Sequence, residues 1–230
     1  ERKLNNLYKV IEAGSADKLY EKWNEKCKDV LSCSSSRLYD NTVKSIVEEF
    51  DNLPLKDIVK PKVGLVGEIL VKFHPTANNN VVDIVESEGA EAVMPDLLDF
   101  FFYCAYSPIE KRKRLKGKRS SEKIARIVIS YMEHYRKPLR KYLSKSKRFS
   151  PPSSIYELAE LAESVLSLSN NTGEGWFLTA EMLELIHSGA SNIVCMQPFA
   201  CLPNHVTGKG MIKELRRQYP KANIVAVDYD

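Results

Sequence analysis

Apolar runs, each bordered by helical patterns, constrain this chain more than any other feature. Lys62–Leu70 (KVGLVGEIL) follows Pro61 and is apolar almost throughout, with two glycines. A polar loop, His74–Asn80, then leads into the helical pattern Val81–Gly89, and Ala92–Pro95 forms a second apolar run. Strand, loop, helix and strand in that order make a βαβ unit, whose strands lie parallel and are buried on both faces. The grammar returns near the end: Ala180–Ser188 reads as a helix, Asn192–Gln197 as a strand, Lys209–Gln218 as a helix and Asn223–Val227 as a strand. The two halves predict an α/β fold, a Rossmann-like or flavodoxin-like parallel sheet of about four strands. The first two strands should be neighbours, and so should the last two, by right-handed crossover.

The rest of the chain is helical in pattern. Residues 1–57 carry apolar positions at helical spacing: Leu7, Val10 and Ile11, then Leu19, Tyr20 and Trp23, then Val43, Ile46 and Val47. Asp40 or Asn41 would cap the last of these helices, and Cys33 falls in a polar connection, Ser32–Ser36. Between the halves of the sheet, 108–170 reads as a helical insertion holding Ile124–Tyr135 and, after the Ser150-Pro151-Pro152 break, Ile155–Leu168. The expected organisation is a helical segment 1–57, a first α/β half 58–107, the insertion 108–170 and a second α/β half 171–230.

That insertion carries the charge. Lys111–Arg148 holds 16 Lys and Arg against Glu122 and Glu133, a balance of +14, while the remaining chain, 18 against 28, stands at −10. Two readings stay open, a solvated amphipathic helix pair or an anion-attracting surface. Without aromatic interleaving, zinc-finger spacing or an RNA-binding motif, nucleic acid is not an expected partner. No apolar run approaches the ~20 residues of a membrane span, so no membrane is expected either. The cysteines, Cys27, Cys33, Cys104, Cys195 and Cys201, are odd in number and widely spaced, which argues for a reducing, cytoplasmic setting rather than a disulfide framework. Glu1 in place of an initiator methionine, and a strand ending at the last residue, suggest a piece of a longer protein.

In open parallel sheets ligands bind beyond the carboxyl ends of the strands, and three segments belong there. Glu68 runs into His74, Asn78, Asn79 and Asn80, where three asparagines offer either an elaborate helix cap or an anion-facing turn. Gly173-Glu174-Gly175-Trp176 places a carboxylate between glycines, which implies close backbone approach to a loop or ligand; Trp176 is core, lid or stacking platform. The third, Cys195 to His205 followed by Gly208-Lys209-Gly210, contains Gln197, Cys201 and two prolines. Cys195 reads as a buried strand thiol, whereas Cys201 precedes a helix, where thiolate is favoured for metal ligation or attack. Glu68, His74, Glu174 and His205 are the candidate catalytic groups. Asn78, Asn79, Asn80, Gly175, Gln197 and Lys209 are the candidate cofactor contacts. Cys201, His205 and Glu68 have the residue types of a hydrolase triad but no elbow motif. No CxxC or HxxxH points to zinc, and Gly208-Lys209-Gly210 lacks the spacing of a phosphate-binding loop. Glu68, His74, Asn78, Glu174, Gln197 and Cys201 are expected at one edge of the sheet.

KVGLVGEILVKFHPTANNNVVDIVESEGAEAVMPDLLDFFFYC, GEGWFLTAEM and CMQPFACLPNHVTGKGM together resemble the C-terminal dehydratase-like part of 2-hydroxyacyl-CoA dehydratase activase-related proteins, also called CoA-substrate-specific enzyme activases. The resemblance covers about Lys62–Asp230 and weakens through the basic insertion. It implies an iron–sulfur, ATP-dependent electron-transfer system of anaerobic metabolism that acts on CoA thioesters, as dehydratases and benzoyl-CoA reductases do. It also implies a [4Fe-4S] cluster in the full-length parent rather than in this piece, with Cys201 and Cys104 as metal ligands and Cys195 as a weaker third. The implied partners are a CoA thioester or an ATP-hydrolysing activase module. The activase's own glycine-rich nucleotide motifs are missing here, so no ATPase activity is expected of this chain. The alternative is a non-catalytic interaction module that docks a partner activase through its basic helices.

Overall fold

The computed structural model describes residues 12, 14–33 and 35–229 of the 230-residue chain. The expected helical positions Leu7, Val10 and Ile11 lie outside the described residues. The chain forms two compact units. One runs from the N-terminal region to Val59 and takes in Tyr131–Pro152; the other comprises Lys60–Ser130 and Ser153–Asp230.

The first unit is helical. Its helices α1 (Ser15–Ser32) and α2 (Ser36–Asp51) bury Trp23, Val43, Val47 and Phe50. Glu49 accepts hydrogen bonds from Trp23 Nε1 (3.1 Å) and Lys22 Nζ (2.6 Å). The cap of α2 is Ser35, whose hydroxyl accepts from Leu38 N–H at 3.3 Å, so the helix starts before the Asp40 or Asn41 expected from sequence. Ser35 outcompetes them because its backbone is already extended, the conformation a cap requires. Returning chain is tied down by Tyr142 to Asp40 (2.7 Å), Ser146 to Asp51 (2.7 Å) and Arg148 Nη1 to the Phe50 carbonyl (2.9 Å).

The second unit is a four-stranded, all-parallel sheet flanked by helices, consistent with a Rossmann-like or flavodoxin-like fold. Its strands are β1 (Lys62–Gly67), β2 (Glu91–Val93), β3 (Asn192–Pro198) and β4 (Asn223–Tyr229), in the order β2-β1-β3-β4. Gly64 faces Val93, Gly67 faces Met196, and Pro198 faces Tyr229. Both expected neighbour pairs are present.

Side chains alternate across the sheet, so adjacent residues feed opposite cores. Val66, Ile193, Cys195 and Ile224 pack with Leu178, Met182, Leu185 and Leu215, which come from α8 (Gly175–His187) and α10 (Ile212–Gln218). Leu65 and Met196 pack on the other face with Val71, Val81 and Val82. Those residues belong to α3 (Ile69–Phe73) and α4 (Val81–Ser87). Helix α8 is buried almost all round, as a helix inside a domain must be.

Several boundaries differ from expectation. The apolar run Lys62–Leu70 is not all strand: β1 stops at Gly67, and Ile69-Leu70 open α3 because the Glu68 side chain caps it by accepting from Val71 N–H at 3.0 Å. Pro203 starts an extra helix, α9 (Leu202–Thr207), where its fixed φ suits the first turn. A 3-10 turn, Lys209–Met211, precedes α10. The expected insertion, 108–170, is divided between the units. Helix α5 (Leu97–Leu115), capped by Asp96, carries Pro108 in its interior, so nothing breaks at 108. Helix α6 (Arg119–Leu143) starts in the second unit and ends in the first; α7 (Ile155–Glu163), closed by a Ser154–Glu157 capping box, packs on α8 in the second. No helix among the described residues is long and apolar enough to cross a membrane.

Candidate functional site

In a sheet of order 2-1-3-4 the chain leaves the carboxyl ends of β1 and β3 toward opposite sides, and the crevice between those two ends is the ligand position of such folds. Gly67 allows the strands to close there. Its φ is +146°, and a Cβ would fall on the Met196 carbonyl oxygen of β3.

Immediately beyond Gly67, three sequence-distant segments meet on one carboxylate. Glu174 Oε1 accepts from Ile69 N–H at 3.1 Å. Its Oε2 accepts from Asn204 Nδ2 at 2.9 Å, in the amide orientation that also lets Asn204 Oδ1 accept from Glu68 N–H at 2.9 Å. Glu68 N–H is shared with the Met196 carbonyl, 3.0 Å away. Glu174 and Asn204 are both buried. Gly175, with φ +47°, turns the chain tightly enough to aim Glu174 here; a side chain would strike the Asn170 carbonyl. The junction is braced by Tyr103, whose hydroxyl donates to the Gly173 carbonyl at 2.9 Å. Trp176 is fully buried against Tyr103 (5.2 Å) and Tyr106 (5.7 Å), which makes it core rather than a free stacking surface.

A second polar group closes the neighbouring strand ends. Gln197 Nε2 donates to Asp228 Oδ1 at 2.6 Å, and Lys209 Nζ lies 3.5 Å from Asp228 Oδ2. The Gln197 amide first, and then the Lys209 ammonium, hold the Asp228 carboxyl below its usual range. Gln197 is fully buried, and its Oε1 has no hydrogen-bond partner.

The other expected residues separate by role. Asn78 is buried and structural: Nδ2 donates to the Val71 carbonyl (2.8 Å), and Oδ1 accepts from Val81 N–H (3.2 Å), the first of α4, while Asn80 holds the N-cap position without a side-chain bond. Asn79 and Asn80 take left-handed φ values of +53° and +54° and are exposed, as is His74. His205 Nδ1 lies 2.9 Å from the Cys201 carbonyl, an acceptor, so Nδ1 carries the proton and Nε2 keeps its lone pair in the neutral ring. Asn204 and Asp228 are the contributors that sequence reasoning passed over. Asn204 stood inside the motif, but nothing in one sequence marks an asparagine three residues after a cysteine as a buried bridge.

The cysteines do not assemble. Cys201 is the half-buried residue preceding α9, Cys104 is exposed on α5, and Cys195 is buried within β3. Burial pushes the Cys195 thiol up to about 12, with Glu181 and Asp228 adding to the shift, and burial followed by Glu174 raises the Cys104 thiol. Both effects oppose the thiolate that a metal requires. Among the described residues no three His, Cys, Asp or Glu side chains form a group able to hold a metal ion. The described residues therefore do not fit a [4Fe-4S] cluster.

Beneath the crevice, Lys72 Nζ and Glu181 Oε1 form a 2.6 Å ion pair buried at 1% and 2% side-chain exposure. The ammonium also sits 4.8 Å from the Phe73 ring and 5.9 Å from Phe177. Burial pushes the Glu181 carboxyl up to about 7 against the pull of Lys72. No protein-family model, curated protein or solved structure matches the chain.

Proposed function

We propose that the second unit is the substrate-side domain of an iron–sulfur, ATP-dependent electron-transfer system acting on CoA thioesters, with the cluster held by residues other than those described. The observation that carries this reading is the Glu174 carboxylate, which ties Ile69 and Asn204 together at the β1/β3 crevice. The three segments joined there are those on which the resemblance to the dehydratase-like family rests. The surrounding chemistry suits an amphipathic ligand. The floor is polar, with Glu68, Glu174, Asn204 and a Gln197 carbonyl oxygen that lacks a donor. The segments leaving β1 and β3 also carry exposed Leu70, Phe199, Leu202 and Val206. An apolar lining with a few fixed polar groups is how small-molecule sites are built, and a CoA thioester brings an acyl chain and an amide-bearing arm to match.

Calorimetric titration with acetyl-CoA tests this. Phe199→Asp with Leu202→Asp changes two exposed side chains, so the fold should persist, while affinity should fall by about tenfold or more as apolar contact is lost. Equal affinity in the double variant, or no binding by the parent chain, would overturn the proposal.

A further inference from the structure

The basic part of the second unit has an apolar feature that the thioester reading does not use and that does not depend on it. Helices α5 and α6 are joined by Lys116–Lys118, and between them runs a shallow groove of about 280 Å³ lined by Ala105, Pro108, Ser121, Ile124, Ala125 and Val128. Along its α6 wall Ile124 is 61% exposed and Val128 40%, and on the same helix beside that wall Ile127 is exposed as well. The spacing i, i+3, i+4 is that of a seam meant to meet another helix. Residues 108–130 hold nine Lys and Arg against Glu110 and Glu122, a balance of +7. Arg114 is paired with Glu110 and Glu163, and Arg126 with Glu122. Lys116, Lys118, Arg119 and Lys123 are exposed around the groove.

We propose that this groove docks an acidic amphipathic helix of a partner protein. Shape and charge each narrow the occupant. The groove is shallow and its lining almost wholly apolar, so it offers a seat to one or two anchoring apolar side chains and lacks the converging polar groups that fix a cofactor. Its lining includes the small residues Ala105, Ser121 and Ala125 between the larger Ile124 and Val128, which leaves a shallow depression rather than a convex ridge. That shape receives knobs from a helix, whereas a membrane surface is met by a convex apolar face. Two copies of this face would bring like charge against like charge, so the partner surface must carry the opposite sign.

The test uses the whole chain and a fluorescent designed peptide, helical, with leucines along one stripe and glutamates beside it. Controls are a peptide of scrambled order, vesicles containing phosphatidylserine, and sedimentation of the chain alone. The stripe peptide should bind at least about tenfold more tightly than the scrambled one, and should weaken by about tenfold or more from low to high salt. Ile124→Asp with Val128→Asp, both lining the groove and both exposed, should weaken it by a similar factor without moving the unfolding midpoint. Equal binding of the scrambled peptide would reduce the effect to bulk charge and overturn the proposal. So would unchanged binding in the double variant, vesicle binding without peptide binding, or self-association of the chain that the double variant abolishes.

Discussion

Replacing Lys72 with methionine is expected to cost about 3–5 kcal/mol of stability in weak alkali, where it leaves the Glu181 carboxylate buried without its partner, and less in acid, where Glu181 is protonated. The pair lies under the crevice at 2.6 Å, and each side chain is almost completely removed from water. Removing both charges, Lys72→Met with Glu181→Leu, should recover most of that loss, since a buried ion pair holds little net advantage over apolar side chains of similar size. The single variant should also acquire a pH dependence of definite sign. Glu181 already titrates above its unfolded value of 4.5 because of burial, and losing the Lys72 ammonium moves it further up. The native state then keeps the proton over an interval in which the unfolded chain has released it, so stability falls as pH rises through that interval. Urea midpoints should accordingly lie closest to the parent in acid and furthest from it in weak alkali. A Lys72→Met deficit that shrank with rising pH would show that Glu181 is not the group responsible.

Gly67→Ala should be nearly as damaging, with a loss of at least about 3 kcal/mol from backbone strain and steric conflict together. A φ of +146° is hostile to any side chain, and the obstruction is the Met196 backbone, which cannot swing aside. Gly64 in the same strand is the internal control. A Cβ there meets only the Leu185 side-chain end, at 2.6 Å, so Gly64→Ala should cost about 1–2 kcal/mol by mild overpacking. Thermal unfolding of the two variants side by side checks the ordering. Equal losses would mean that the β1–β3 closure at Gly67 is not the constraint described above.

How much of this was legible in one sequence follows from the physics of each element. Strands of a parallel sheet show as continuous apolar runs, and β1, β3 and β4 were read that way, although the edge strand β4 leaves Val225 exposed. Strand β2 (Glu91–Val93) starts one residue and ends two residues before the run expected for it. The same rule misassigned Ile69-Leu70: an apolar pair after a strand looks like more strand until one knows that Glu68 caps the turn beginning there. Helix α9 was hidden by its length of six residues, too short to show a period, although Pro203, two residues after Cys201, was a usable signal. At the crevice, Glu68 could be named as a carboxylate following a glycine at a strand end, and Glu174 because flanking glycines imply close backbone approach; both turn out to hold backbone N–H groups of α3. Their bridge, Asn204, and the Gln197–Asp228 contact across 31 residues could not, since both depend on strand order and register. The cysteines show the converse limit. Proximity to strand ends suggested Cys201 and Cys104 as ligands and the family resemblance added Cys195 as a weaker third, whereas the strand reading of Cys195 as a buried thiol is what the structure shows.

An amide chemical-shift map of the chain during titration with acetyl-CoA reports on the crevice directly. The perturbed signals should concentrate in Gly67–Val71, Gly173–Trp176 and Cys201–Val206, the segments joined by Glu174 at the β1/β3 crevice. Perturbations confined to other parts of the chain, with these three segments unmoved at saturation, would contradict the thioester reading.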